Sequence, residues 1–208
     1  MAFTSFKSTD EVVKKYKLRI RSGPVLPPAP DAPAFSPAFL TELEFNLTYL
    51  RPTRSELGAG EVLLFPILRE VWKTYYESLC LFTHEALEYD EDLCGFPDYY
   101  VCRLSEYGRV VEVPYLLVAE AKLDDFEKAW GQCLAAMLAA QKLNGRPDIP
   151  IYGIASNGQA WQFGLLKRDE FTRQLGGYTV SDPDALAAHM HAVFRACRDQ
   201  AVAYKSAA

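Results

Sequence analysis

The chain has 208 residues, enough for one domain of ordinary size with a full core. Half of the residues are hydrophobic and 24% are charged, which excludes bulk disorder. With 22 Lys and Arg against 27 Asp and Glu, the formal net charge is −5, opposite in sign to a protein that coats a duplex by overall charge.

Residues 10–21, DEVVKKYKLRIR, hold seven charges with apolar residues between them. This suits either a short helix followed by an edge strand or a loose basic arm. Six prolines between Ser22 and Pro37 fix their own φ and remove donors, so an extended surface connector is expected. Residues 1–38 therefore read as arm and connector, and 39–208 as a single domain. FLTELEFNLTYL (39–50) fits a short helix or a strand before Pro52. Over 60–77, Leu64, Ile67, Leu68, Val71, Trp72 and Tyr75 recur at helical steps, with Pro66 tolerated in an early turn. This helix is expected to end near Glu77, because LCLFTHEALEY then alternates like a strand.

DEDLCGFPDYYVCRL predicts an acidic turn and then a strand through Tyr99, Val101 and Arg103. SEYGR reads as a hairpin turn, and VVEVPYLLVAEAK as the next strand. The consecutive apolar run Leu116–Ala119 marks that strand as central and covered on both faces. A helix follows from Asp124–Asp125 to about Leu143, with Phe126, Trp130, Cys133, Leu134, Met137 and Gln141 in one arc and Gly145 and Pro147 beyond it. IYGIAS is a buried strand, Asn157–Gly158 a tight turn, and AWQFGLL a further strand. The last helix has Asp182 as N-cap and Pro183 at its first position. The string fits an α/β fold with a central mixed sheet flanked by helices.

Five cysteines, none in a two-residue metal or redox spacing, read as reduced core thiols of an intracellular protein. The N-terminus lacks an uninterrupted apolar leader and no run is long enough to span a bilayer, so a cytoplasmic protein without membrane contact is expected.

The chemistry concentrates at Asp98, Glu120 and Lys122. Asp98 opens one expected strand, while Glu120 and Lys122 share a face at the end of the next. A charge at the end of a buried strand is costly unless paired or metal-bound. If the two strands are neighbours, the carboxylates converge, and with the Ala121 carbonyl and waters they suit Mg²⁺. From spacing alone, a Glu120–Lys122 cross-strand ion pair with Asp98 capping a turn is the simpler reading, because so short a pattern arises readily by chance.

Phe96–Pro97–Asp98 and Glu120–Ala121–Lys122, together with Gln132 in the following helix and IYGIASNGQAWQFGLL beyond it, resemble the PD-(D/E)xK nuclease superfamily. The pattern is most similar to the N-terminal nuclease domains of type I restriction subunits, over about Glu61 to Leu166. The resemblance implies a restriction endonuclease-like core of helix, three-stranded meander, helix and strand, and Mg²⁺-dependent hydrolysis of DNA phosphodiesters, with Mn²⁺ as substitute. It implies that Asp98 and Glu120 bind metal and that Lys122 positions the attacking water. Gln132 would hold Lys122 or a phosphate. Glu61 best matches the first-helix acid that binds a second metal or orients water, with Glu70 and Glu77 as alternatives. A homodimer is the arrangement expected of a palindrome-cutting member. The rival expectation is a catalytically silent nuclease-like fold that binds a protein partner, favoured by the acidic run from Glu85 to Asp98.

Other residues read as structural. His84 suits a hydrogen-bonded strand position, and His189 and His191 point to different helix faces. Trp72 and Trp130 belong to apolar stripes. Trp161 and Phe163 fit either a base-stacking platform or packing beneath a helix. LKRDEFTR (166–173) reads as a solvated face from which Lys167, Arg168 and Arg173 can reach a backbone.

Overall fold

A computed structural model describes residues 2–108 and 110–207. Among them, eight strands form one mixed sheet with helices on both faces, as the chain pattern requires. The strands are β1 (Arg19–Ser22), β2 (Leu79–Thr83), β5 (Tyr99–Arg103), β6 (Tyr115–Ala121), β7 (Ile151–Ser156), β8 (Ala160–Lys167), β9 (Glu170–Arg173) and β10 (Tyr178–Thr179). A separate small hairpin joins β3 (Leu87–Glu88) to β4 (Cys94–Gly95). The main sheet runs β1-β9-β8-β7-β6-β5-β2, with β10 paired to β8.

β2, β5 and β6 form an antiparallel meander, and β7 lies parallel to β6. The parallel step needs a crossover, which α5 (Phe126–Asn144) supplies. Every residue of β6 is buried, as expected of a central strand with both faces covered. Asp125 caps α5 by accepting from the Lys128 N–H at 2.9 Å.

One face of the sheet carries α5 and α1 (Thr9–Tyr16). The other carries α2 (Pro37–Tyr49), α3 (Glu56–Ala59), α4 (Phe65–Trp72) and α6 (Pro183–Ala207). Asp182 caps α6 through the Ala185 N–H at 3.2 Å, with Pro183 first in the helix. The four cysteines Cys80, Cys102, Cys133 and Cys197 are buried, and Cys94 is half-buried. Among the described residues, no helix is long and apolar enough to cross a membrane.

The N-terminal segment is helix and edge strand rather than a loose arm. Phe3, Phe6 and Val12 are buried against α5, and β1 extends the sheet beside β9. Gly131 of α5 makes this docking possible. A Cβ there would meet the Ser8 backbone N, C and O atoms at 2.8–2.9 Å. Gly131→Ala should therefore push α1 outward and destabilise the protein by about 1–3 kcal/mol, read as a lower urea midpoint. An unchanged midpoint would show that the N-terminal segment contributes little to the cooperative fold. The proline-rich connector runs over the surface but buries Val25, Ala29 and Phe35 as anchors.

Two expectations need correction. The helix placed at 60–77 spans Glu56 to Trp72 as α3, a π-helical turn at Gly60–Leu64, and α4, followed by turns. Pro66 lacks the N–H that would bond the Val62 carbonyl, and Asn46 Nδ2 donates to that carbonyl instead at 3.2 Å. LKRDEFTR is a tight hairpin from β8 into β9 with Phe171 fully buried, not a simple solvated face. Of the two readings left open for Trp161 and Phe163, packing is the one found, since they are 0% and 1% exposed and offer no platform to bases. Arg109, in the expected SEYGR turn, lies outside the described residues.

Candidate active site

The antiparallel register of β5 and β6 pairs Tyr99 with Ala119. One step further sets Asp98 opposite Glu120, on the face that Tyr100 and Val118 share with α5. Two like charges directly opposite on one face are unfavourable, and here one of them is buried. Glu120 is 5% exposed, above the Cys133 thiol of α5. Burial raises its carboxyl well above the usual range, and the Asp98 carboxylate, in hydrogen-bond contact with it, raises it further. Lys122 acts in the opposite direction.

Asp98 is held from two sides. Its Oδ2 accepts from the Ala121 N–H at 2.7 Å, and its Oδ1 lies 3.6 Å from His84 Nδ1. The backbone N–H of His84 also donates to the Asp98 carbonyl at 2.9 Å. His84 has φ 51°, a left-handed conformation that costs energy for a residue with a Cβ. The strain coincides with the placement of the ring beside Asp98. His84 is thus a neighbour of the carboxylate pair, which its alternation within a strand did not reveal.

Lys122 Nζ donates to Glu56 Oε2 at 2.7 Å, and the lysine side chain is only 13% exposed. Glu56, at the start of α3, is therefore the acid that the helical segment brings to Lys122. Glu61 stands on the π-helical turn, exposed, and its charge acts on the buried Tyr99 hydroxyl together with that of Asp98. Burial first, and then these two carboxylates, raise the Tyr99 hydroxyl above its usual value. The alternatives Glu70 and Glu77 are elsewhere. Glu70 binds Ser36 and Lys73, and Glu77 accepts from Tyr76.

Gln132 is 3% exposed, and its amide donates to the Thr4 carbonyl at 3.5 Å. That bond ties α5 to the N-terminal turn rather than to Lys122, because Gly131 draws the N-terminal segment over this flank. His189 and His191 are buried on different neighbours, Tyr178 and Tyr75. Burial pushes His189 down to about 4, so it stays neutral in the core.

The raised carboxyl makes a pH-dependent prediction. A group whose value is raised on folding adds stability that is fully present below its unfolded value and lost as pH rises through the folded one. For Glu120 that loss begins above the ordinary value of 4.5. Glu120→Gln should therefore be more stable than wild type at neutral pH without divalent metal, with the advantage vanishing below about pH 4.5. Urea titrations in EDTA across this range test it. A variant less stable than wild type at pH 7 would show that Glu120 is ionised and satisfied.

Among the described residues, no group of three or more His, Cys, Asp and Glu side chains is arranged to hold a metal. Asp98 and Glu120 are the two acids that the strand register brings together. No protein-family model matches the chain, and no curated protein matches it in sequence.

Proposed function

We propose that the protein is a Mg²⁺-dependent phosphodiester hydrolase with a restriction endonuclease-like core, acting on DNA. The observation that carries this reading is the cross-strand carboxylate pair of Asp98 and Glu120, with Lys122 two residues further along the same strand edge. The order of helix, antiparallel meander, crossover helix and parallel strand around that pair supports it.

The donor set fits a hard divalent cation. Two adjacent carboxylates that repel each other when ionised gain most from such a charge, and Mg²⁺ keeps several waters where protein ligands are few. Asp98, Glu120 and the Ala121 carbonyl would hold it, with Glu61 a weaker contributor from the π-helical turn. When bound, the cation offsets phosphate charge and lowers the pKa of a bound water. The chain's own groups do the rest. His84 and the Ala121 N–H orient Asp98, and Glu56 holds the Lys122 ammonium beside the carboxylates. Lys122 orients the attacking water and stabilises charge that builds on the phosphate oxygens. Gln132 serves the packing of the N-terminal turn.

Metal linkage is the direct test. Millimolar Mg²⁺ or Mn²⁺ should raise the melting temperature at neutral pH more than KCl of equal ionic strength. Asp98→Ala should abolish that increment, and wild type should cleave linear or single-stranded DNA only without EDTA. Equal melting temperatures with and without metal, in a preparation that cleaves no DNA, would favour a silent fold that binds a protein partner.

A further inference from the structure

The cations of the N-terminal arm are largely committed. Lys14 pairs with Asp10, Lys15 with Asp92, and Arg19 and Arg21 with Asp169 and Glu170. On the β2–β5 side of Asp98, exposed Glu85, Glu88, Asp90 and Glu91 present negative charge. A polyanion reaching Lys122 has to come from another direction.

That direction is open on the side of α3. Two adjoining cavities of about 410 and 530 Å³ meet at a shared wall of Leu47 and Gln159. Among the described residues, no acidic side chain lines either one. Arg51 and Arg54 line the first cavity, both exposed, and neither forms an ion pair among the described residues. Asn157, Thr179 and Ser181 line the second with uncharged polar groups. Residues of both cavities stand next to the site's own contacts. Arg54 lies two residues before Glu56, which binds Lys122, and Asn157 Nδ2 donates to the Leu123 carbonyl next to Lys122. The groove that the cavities form lies beyond the carboxyl ends of the parallel strands β6 and β7, where open α/β sheets bind ligands.

We propose that this groove seats a single-stranded nucleic acid and leads it to Lys122 from the α3 side, Arg51 and Arg54 holding its phosphates. The proposal rests on the nuclease reading for what happens at Lys122, but not for binding. Apolar side chains line the cavity of the arginines, Leu47, Leu50 and Pro52, and Val180 lines the adjoining one. Unpaired bases have apolar faces to lay on such a wall, whereas a duplex hides them in its stack. Each cavity is of the size that takes a small ligand, so successive nucleotides can occupy the two.

Fluorescence anisotropy in EDTA tests binding apart from cleavage. The probe is a labelled oligothymidylate of about 12 nucleotides, within the span of single-strand sites. Arg51→Glu with Arg54→Glu should weaken binding about tenfold or more at low salt. Lys17→Glu with Lys142→Glu, the same charge change elsewhere, should weaken it less than about twofold. Circular dichroism confirms that both variants fold. Equal losses in the two double variants, no binding by wild type, or equal affinity for the same sequence as a duplex would each overturn the groove. Arginine-dependent binding in a protein that never cleaves leaves the groove standing and removes the nuclease reading. Lys122-dependent cleavage that is unaffected by the Arg51 and Arg54 reversals does the opposite.

Discussion

Lys122→Ala should lower metal-dependent DNA cleavage several hundred-fold while leaving the fold intact. Removing one group that stabilises charge mainly in the transition state costs about 3–4 kcal/mol, which corresponds to that factor. The fold should survive because Lys122 sits at the strand end and its ion-pair partner Glu56 is half-exposed. Freed of Lys122, the Glu56 carboxylate is rehydrated at small cost. Glu120 responds in a different way. Lys122 lowers the Glu120 carboxyl value, so the variant should hold its proton to a higher pH and need a higher pH for metal to bind. Rates therefore have to be compared at saturating Mg²⁺ and at more than one pH. Glu56→Gln separates the two roles of the pair. If Glu56 only positions the ammonium, this variant should lose far less activity than Lys122→Ala. Equal residual cleavage by wild type and Lys122→Ala, from parallel preparations, would assign the activity to a contaminant and end the enzymatic reading.

Trp130→Ala should produce the largest loss of stability, about 3–5 kcal/mol, through a cavity that the sheet cannot close. Trp130 is fully buried between α5 and the sheet. Its indole fills a slot above Gly153 of β7 and Gly164 of β8, where an added Cβ would come within 3.0 and 2.8 Å of the ring. The ring also packs on Phe171, and Arg173 lies over it at 5.6 Å. Its N–H donates to Gln162 Oε1 at 2.8 Å, an oxygen that also accepts from Arg173. Truncation thus removes packing and one partner of a small polar network together. For a chain of this length the melting temperature should fall by roughly 6–20 °C. Trp130→Phe should recover part of that loss, since most of the volume returns without the N–H. A fall of a degree or two for Trp130→Ala would mean that α5 relaxes onto the glycines and fills the space.

The residues themselves determined the central elements. Leu116 to Ala119 are apolar in succession, so that strand has to be covered on both faces, and β6 is. Asp125 and Gly145 mark the ends of α5, and Asp182 with Pro183 marks the start of α6, because capping chemistry is local. Glu120 and Lys122 were legible as a charged end to an apolar strand, and the convergence of Asp98 on Glu120 needed only that their strands be neighbours. Tertiary structure decided what depends on distant partners. The pairing of Lys122 with Glu56 crosses 66 positions, and neither residue carries a local signal for it. His84 reaches Asp98 because β2 lies beside β5 and turns through a left-handed residue, which alternation cannot show. β1, at the edge of the sheet, is short and rich in charge, and β9 between β1 and β8 has only four residues, two of them charged, so neither shows the hydrophobic rhythm that betrays a strand. Gln132, placed by analogy near Lys122, is instead buried under a turn from the other end of the chain. Short-range patterning follows from backbone geometry and capping, whereas the partner of a side chain follows from which surfaces pack together, and packing is a property of the whole chain.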